Sequence, residues 1–158
     1  VLGVCAALLA TGLVAGLLIP AASQGTQTET FTLCEKNNKG FTKSVDEGKG
    51  PSGDWEVSSY PMYNPSTGKR AGTDVGRFTF VRPLGQRNGI GIVDATVFLA
   101  KGKLTGYAAF KFSSFRKGAK FAVTGGTGRY RNATGSVTVQ PAKCAGARGS
   151  RLVFNIVR

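Results

Sequence analysis

The sequence predicts an all-β protein, an eight-stranded antiparallel up-and-down β-barrel. Apolar and polar residues alternate in short runs from residue 29 onward, the period of a half-buried strand. Stretches rich in Gly, Pro, Asn and Lys separate the runs, so the connections read as turns. Past residue 23, helical periodicity extends to no more than one turn, near Arg129–Ala133. Short strands with short links are the pattern of a meander barrel.

Taken in order, residues 1–23 precede the fold. Ala6 to Ile19 is apolar, and the small residues of Pro20-Ala21-Ala22-Ser23 lead to polar Gln24, which reads as the h-region and cleavage zone of a secretory signal peptide. The run is shorter than the roughly 20 residues a spanning helix needs, which sets an uncleaved anchor second. The expectation is a secreted, extracellular protein with one domain over 24–158.

Phe31 and Leu33 alternate with Thr30 and Thr32, placing a first strand near 29–35. Residues 36–53 read as a long loop, and Trp55, Val57 and Tyr60 as a short second strand. The segment 61–72, PMYNPSTGKRAG, is turn chemistry throughout. Asp74 to Val81 alternates as a strand, and Pro83 to Asn88 turns it. Ile90 to Leu99 is the longest strand, and Lys101-Gly102-Lys103 links it tightly to Leu104–Phe112. Strands near 119–124, 134–140 and 150–157 complete eight. Between two of them the run FAVTGGTGRYRNATGSVTV makes a corner, where Gly125, Gly126 and Gly128 let the backbone reach positive φ. A phosphate nest there ranks behind a plain turn cluster.

Along 90–99, Ile90, Ile92, Asp94, Thr96 and Phe98 share one face, and Val93, Ala95, Val97 and Leu99 the other. Both faces are mostly apolar, so both need cover: the lumen on one side, a second chain or the 36–53 loop on the other. A homotrimer or homodimer is the expectation on the first alternative.

The net charge is +13 and unevenly spread. Every acid lies at or before Asp94, and 12 Lys or Arg follow with none. Such a half should attract an anionic surface polymer, or simply supply solubility on outward strand positions. Its charges never form a dense run, so no specific nucleic-acid site is expected. The chain contains no histidine, which removes His-based triads and imidazole metal sites; no metal and no cofactor are expected. After residue 23 two cysteines remain, Cys34 and Cys144. In an oxidising compartment they are expected to form a disulfide.

Two blocks carry a resemblance. VTGGTGRYRNATGSV resembles the corner of the dirigent and allene oxide cyclase barrels, and MYNPSTGKRAGTDVGRFTFV resembles their turn and Gly-rich strand. Asp94-Ala95-Thr96, Gly102 and Gly106 fall where such barrels have a central hairpin, and RLVFNIVR fits the closing strand. The resemblance covers roughly 29–158 and implies an eight-stranded barrel with an apolar cavity, often trimeric. Plant allene oxide cyclases carry a glutamate and an asparagine on the first strand, facing the cavity. Aligned on these blocks, Thr32 and Cys34 stand there, which argues against the cyclase reaction itself.

What the resemblance implies is confinement of a small apolar or aromatic ligand, so that cyclisation or coupling becomes stereoselective, an isomerase-like or dirigent-type activity without metal. The residues expected to carry it are Asp94 as anchor, Arg77 as counter-charge and Tyr107 as stacking group. Tyr60 and Tyr63 flank the mouth, and Phe98 shares the Asp94 face. An acid mid-strand among apolar neighbours is costly unless paired, so Asp94 is either a cavity acid or a structural ion pair with Arg77. The other function class is a non-enzymatic cationic module at an anionic envelope.

Overall fold

The computed structural model describes residues 26–36, 41–44, 55–81, 89–115, 117–144 and 146–158. The segment expected to be a signal peptide lies outside them. The strands are β1 (Thr28–Lys36), β2 (Phe41–Ser44), β3 (Trp55–Tyr63), β4 (Arg70–Phe80), β5 (Ile90–Leu99), β6 (Gly102–Lys111), β7 (Ala119–Gly126), β8 (Thr134–Cys144) and β9 (Ala147–Val157). All pairings are antiparallel, in the order β1-β9-β8-β7-β6-β5-β4-β3-β2. A further pairing of β1 with β3 closes eight of them into a barrel.

Each of the eight expected strands overlaps one barrel strand. The ninth, β2, corrects the expectation of an uninterrupted loop over 36–53: it pairs with β3 outside the closed ring, Phe41 opposite Ser59. A single α-helical turn, α1 (Phe112–Phe115), follows β6, and the turn expected near Arg129 is a 3-10 turn over Gly128–Tyr130.

Cross-strand register explains why the barrel has an interior. Eight strands enclose a space just wide enough for side chains to fill or for one small ligand. Here one inward row runs Ser58, Gly76, Ala95, Gly106, Val123 across β3 to β7. Three adjacent strands thus contribute little or no side chain at one level, and the lumen stays open there. Below it Leu33, Met62, Tyr130, Ala133 and Ile156 join the buried core, and Phe31 stacks on Phe154 at 4.7 Å. The larger cavity lies in the other half, and a smaller, more open pocket of about 300 Å³ remains beside Phe31, Leu33 and Tyr130.

Cys34 and Cys144 are bonded, with Cα atoms 5.8 Å apart. The bridge ties β1 to the far end of β8 and is buried. At the opposite end Glu29 accepts hydrogen bonds from Arg129 and Arg158, joining β1, the corner and the last strand.

Candidate functional site

A cavity of about 610 Å³ occupies the hollow half of the barrel. Its apolar wall includes Phe78, Phe80, Phe110, Phe112, Phe121 and Phe154. Four of these rings gather into one cluster: Phe78 lies 4.6 Å from Phe80, 5.8 Å from Phe110 and 5.6 Å from Phe112. Gly91 makes room for the cluster, since a Cβ there would overlap the Phe78 ring. The helical turn α1 places Phe112 over the end of the cluster, so this short element shapes the cavity.

The polar wall is built by β1, β3, β4 and β9. Phe31, Leu33 and Glu35 alternate inward along β1, and the last of them meets the cavity. Asp74, Gly76, Phe78 and Phe80 alternate inward along β4. Ser150 stands opposite Glu35 and Tyr60 opposite Asp74, so four polar side chains converge.

Glu35 and Asp74 form a hydrogen-bonded carboxyl pair. Burial, the neighbouring Asp74 charge and the shared hydrogen bond push the Glu35 carboxyl up to about 9. Burial also raises Asp74, while the hydrogen bond from Glu35 and one from the Val75 backbone N–H pull it back. The pair therefore keeps a proton at neutral pH, with Glu35 as donor and Asp74 as acceptor. Asp74 Oδ1 is shielded from solvent and has no hydrogen-bond partner among the described residues. A buried oxygen of this kind asks for a donor, and it belongs to a cavity-wall residue. Further along the wall stands Glu56, its carboxyl raised by burial.

The structure separates the residues expected from sequence. Tyr60 lines the cavity. Arg77 belongs to the cavity wall, but its guanidinium meets Asp94, directly opposite in register, at 3.4 Å on the outer surface, where the Asp94 and Arg77 side chains are 51% and 59% exposed. Val93, Ala95 and Val97 are the cavity-lining residues of β5, which turns Asp94 and Phe98 outward; Phe98 is 49% exposed. Tyr107 is likewise outward, because Leu104, Gly106 and Phe110 of β6 line the lumen. Tyr63 sits opposite Cys34 and packs under the Lys36 ammonium instead of lining the cavity.

The expected alignment of β1 is corrected by one residue. Leu33 and Glu35, not Thr32 and Cys34, point inward, so β1 does present a glutamate to the lumen. The signal was present in sequence: Glu35 continues the apolar stripe of Phe31 and Leu33, and an acid at the end of such a stripe is an acid at a cavity wall. The glycine corner is no anion nest. Most of its N–H groups are used internally, Thr127 donating to the Lys103 carbonyl, Arg129 to that of Lys101 and Tyr130 to that of Thr127. Gly126 is required there by the close approach of the Tyr130 and Lys103 carbonyls.

No family model matches the chain, and no curated protein does. Solved structures do. A pyocyanin demethylase superposes with a TM-score of 0.65 at 23% identity, over 81% of this chain and 99% of its own. An exo-specific intermolecular Diels-Alderase gives 0.64 at 13% identity, over 84% and 98%. A pterocarpan synthase dirigent protein gives 0.62 at 19%, over 84% and 86%. The chain has the dirigent-like barrel fold that its two sequence blocks resemble.

Proposed function

We propose that this protein binds a small, largely apolar ligand in the barrel lumen and steers its cyclisation or rearrangement, with the Glu35–Asp74 pair as the proton-handling group. The observation that carries the reading is a 610 Å³ cavity with phenylalanine rings on one side and a proton-sharing carboxyl pair on the other. A protonated Glu35 donates a hydrogen bond to a carbonyl or hydroxyl oxygen of the ligand and draws electron density from the conjugated system. Asp74, with one oxygen unpartnered, accepts a proton released elsewhere on the same molecule. Glu35 then passes its proton to that oxygen, and the hydrogen bond between the two carboxyls returns the proton taken up by Asp74 to Glu35, so a cyclisation or tautomeric shift needs no further reactant. The phenylalanine cluster restricts the ligand to few folded shapes, which supplies orientation. Cyclases and a dirigent protein among the structural neighbours support this class of chemistry.

The same reading makes the protein an exported one, supported by the apolar run 6–19 and by the Cys34–Cys144 bridge. Several basic residues of the second half, Lys111, Lys120, Arg148 and Arg151 among them, are exposed outside the barrel. Attraction to an anionic polymer would be a property of that shell, separate from the lumen.

The test is ligand retention by native mass spectrometry after exposure to extract from the source. Wild type should retain a small molecule, and Ala95→Phe should retain none while staying folded, because a ring at Ala95 enters the small-residue row. Equal retention by both proteins, or by neither, overturns the lumen reading.

A further inference from the structure

The lumen and the exterior of this protein differ in electrostatic sign. The chain carries +13 overall. Yet the ionisable side chains in the described cavity wall are Glu35, Glu56, Asp74, Tyr60 and Arg77. The guanidinium of Arg77 turns outward to Asp94 and is neutralised there. No other Lys or Arg among the described residues lines the cavity. Three carboxyl groups therefore face an apolar enclosure without an inward cation among the described residues.

Two of those carboxyls share a proton and leave one net charge. The third, Glu56, stands opposite Phe78 in register, beside the phenylalanine cluster, and has no ion-pair or hydrogen-bond partner among the described residues. Glu56 is partly withdrawn from water, which raises its carboxyl, and a cation beside it offsets the cost of holding the charge there. The faces of Phe78, Phe80 and Phe112 carry the negative side of the ring quadrupole, which attracts the same sign of ligand. Both features disfavour a carboxylate or sulfonate.

Building on the lumen reading above, we infer that the cavity selects planar aromatic cations, such as N-alkylated nitrogen heterocycles, over anions of the same size, and that Glu56 is the counter-charge. The ring system lies on the Gly76–Ala95–Gly106 bed, its charged nitrogen toward Glu56 and the phenylalanines. A hydrogen-bonding substituent at the other edge reaches Glu35 and Asp74. The basic shell does not oppose entry strongly, because surface charge is screened over about 8 Å at physiological salt.

Three matched fluorescent probes test this: N-methylacridinium, acridine and acridine-9-carboxylate, titrated at pH 7.5 and physiological salt. The expected order is cation, then neutral, then anion, with the cation about tenfold tighter than acridine (one decade being about 1.4 kcal/mol). Glu56→Gln should collapse the cation-to-neutral ratio to near one. Asp94→Asn, on the outer face, should leave the ratio unchanged. Using a ratio removes any effect of the substitution on folding. If neutral or anionic probes bind as tightly as the cation, or Glu56→Gln keeps the ratio, the charge selection is wrong and the lumen still binds ligands. If none of the three saturates, the lumen reading falls together with this one.

Discussion

Raising the pH from 5.5 to 8.5 should destabilise the folded protein steeply, although most side chains keep their charge across that range. The native Glu35 carboxyl is pushed up to about 9 by burial, the Asp74 charge and their shared hydrogen bond, whereas in the unfolded chain it titrates near 4.3. Throughout the window the native state holds a proton that the unfolded state has lost. Unfolding free energy then falls with pH, because the native state binds more protons. The contribution is complete below the unfolded value and is lost as pH climbs through the native one. One retained proton is worth about 1.4 kcal/mol per pH unit, so about 4 kcal/mol across three units. That is a large part of the roughly 5–15 kcal/mol that holds a typical domain together.

The composition makes this measurement clean. There is no histidine, and the bridged cysteines do not titrate. In the chain from residue 24 onward, ordinary side chains change charge outside the window, and the α-amino group is the exception. Asp74 and Glu56, also raised by burial, act in the same sense. Urea unfolding at several pH values and constant ionic strength gives the slope. Glu35→Gln keeps the shape and a donor but cannot ionise, so its slope should fall clearly below that of wild type, and at pH 8.5 it should be the more stable protein. A flat or rising wild-type curve, or an unchanged slope in Glu35→Gln, refutes the buried pair.

Replacing both Cys34 and Cys144 by Ala should cost about 3–5 kcal/mol, since the bridge closes a separation of 110 residues; the urea midpoint reports it. Gly149→Ala should cost about 2–4 kcal/mol, because a Cβ there overlaps the Glu35 carbonyl. Thermal melting will register the loss, and a neutral outcome would mean that β1 and β9 can separate there freely. Arg77→Ala and Asp94→Ala should each change stability by less than about 0.5 kcal/mol, as expected for a half-exposed ion pair, and should leave ligand retention as in wild type. A large loss of retention from either would return the site to the outer face of β5.

Sequence alternation located the barrel strands because each has one buried face, so period-two patterning survives in every run. It passed over β2 because four residues, Phe41-Thr42-Lys43-Ser44, span barely two periods inside a polar segment. It misplaced the acid for a related reason. In β5 both parities are apolar, so periodicity could not say which face looks inward. The cavity-lining part of the inward face, Val93, Ala95 and Val97, carries less bulk than the outward Ile90, Ile92 and Phe98. Hydrophobic size points the wrong way when the interior is a cavity, because a cavity is made by residues that do not fill it. The same inversion hid Asp74, whose stripe contains Gly76 as well as Phe78 and Phe80.

The position of Glu35 on the closing seam has its own logic. Strand β1 pairs with β9 along its whole length, from Thr28 to Lys36, but with β3 only through Cys34 opposite Tyr63 and Glu35 opposite Met62. So thin a ladder would fray readily, and fraying would let the carboxyl reach water and recover its ordinary acidity. Three constraints oppose that. The disulfide fixes the residue before Glu35, the Gly149 backbone packs against its carbonyl, and Met62, fully buried, sits across the seam. The burial that raises the Glu35 carboxyl is thus maintained where the barrel is least hydrogen-bonded, by covalent and steric means in place of a longer ladder. An acid held this way stays protonated in the lumen only while the seam is shut, which makes its titration a direct reading of barrel closure.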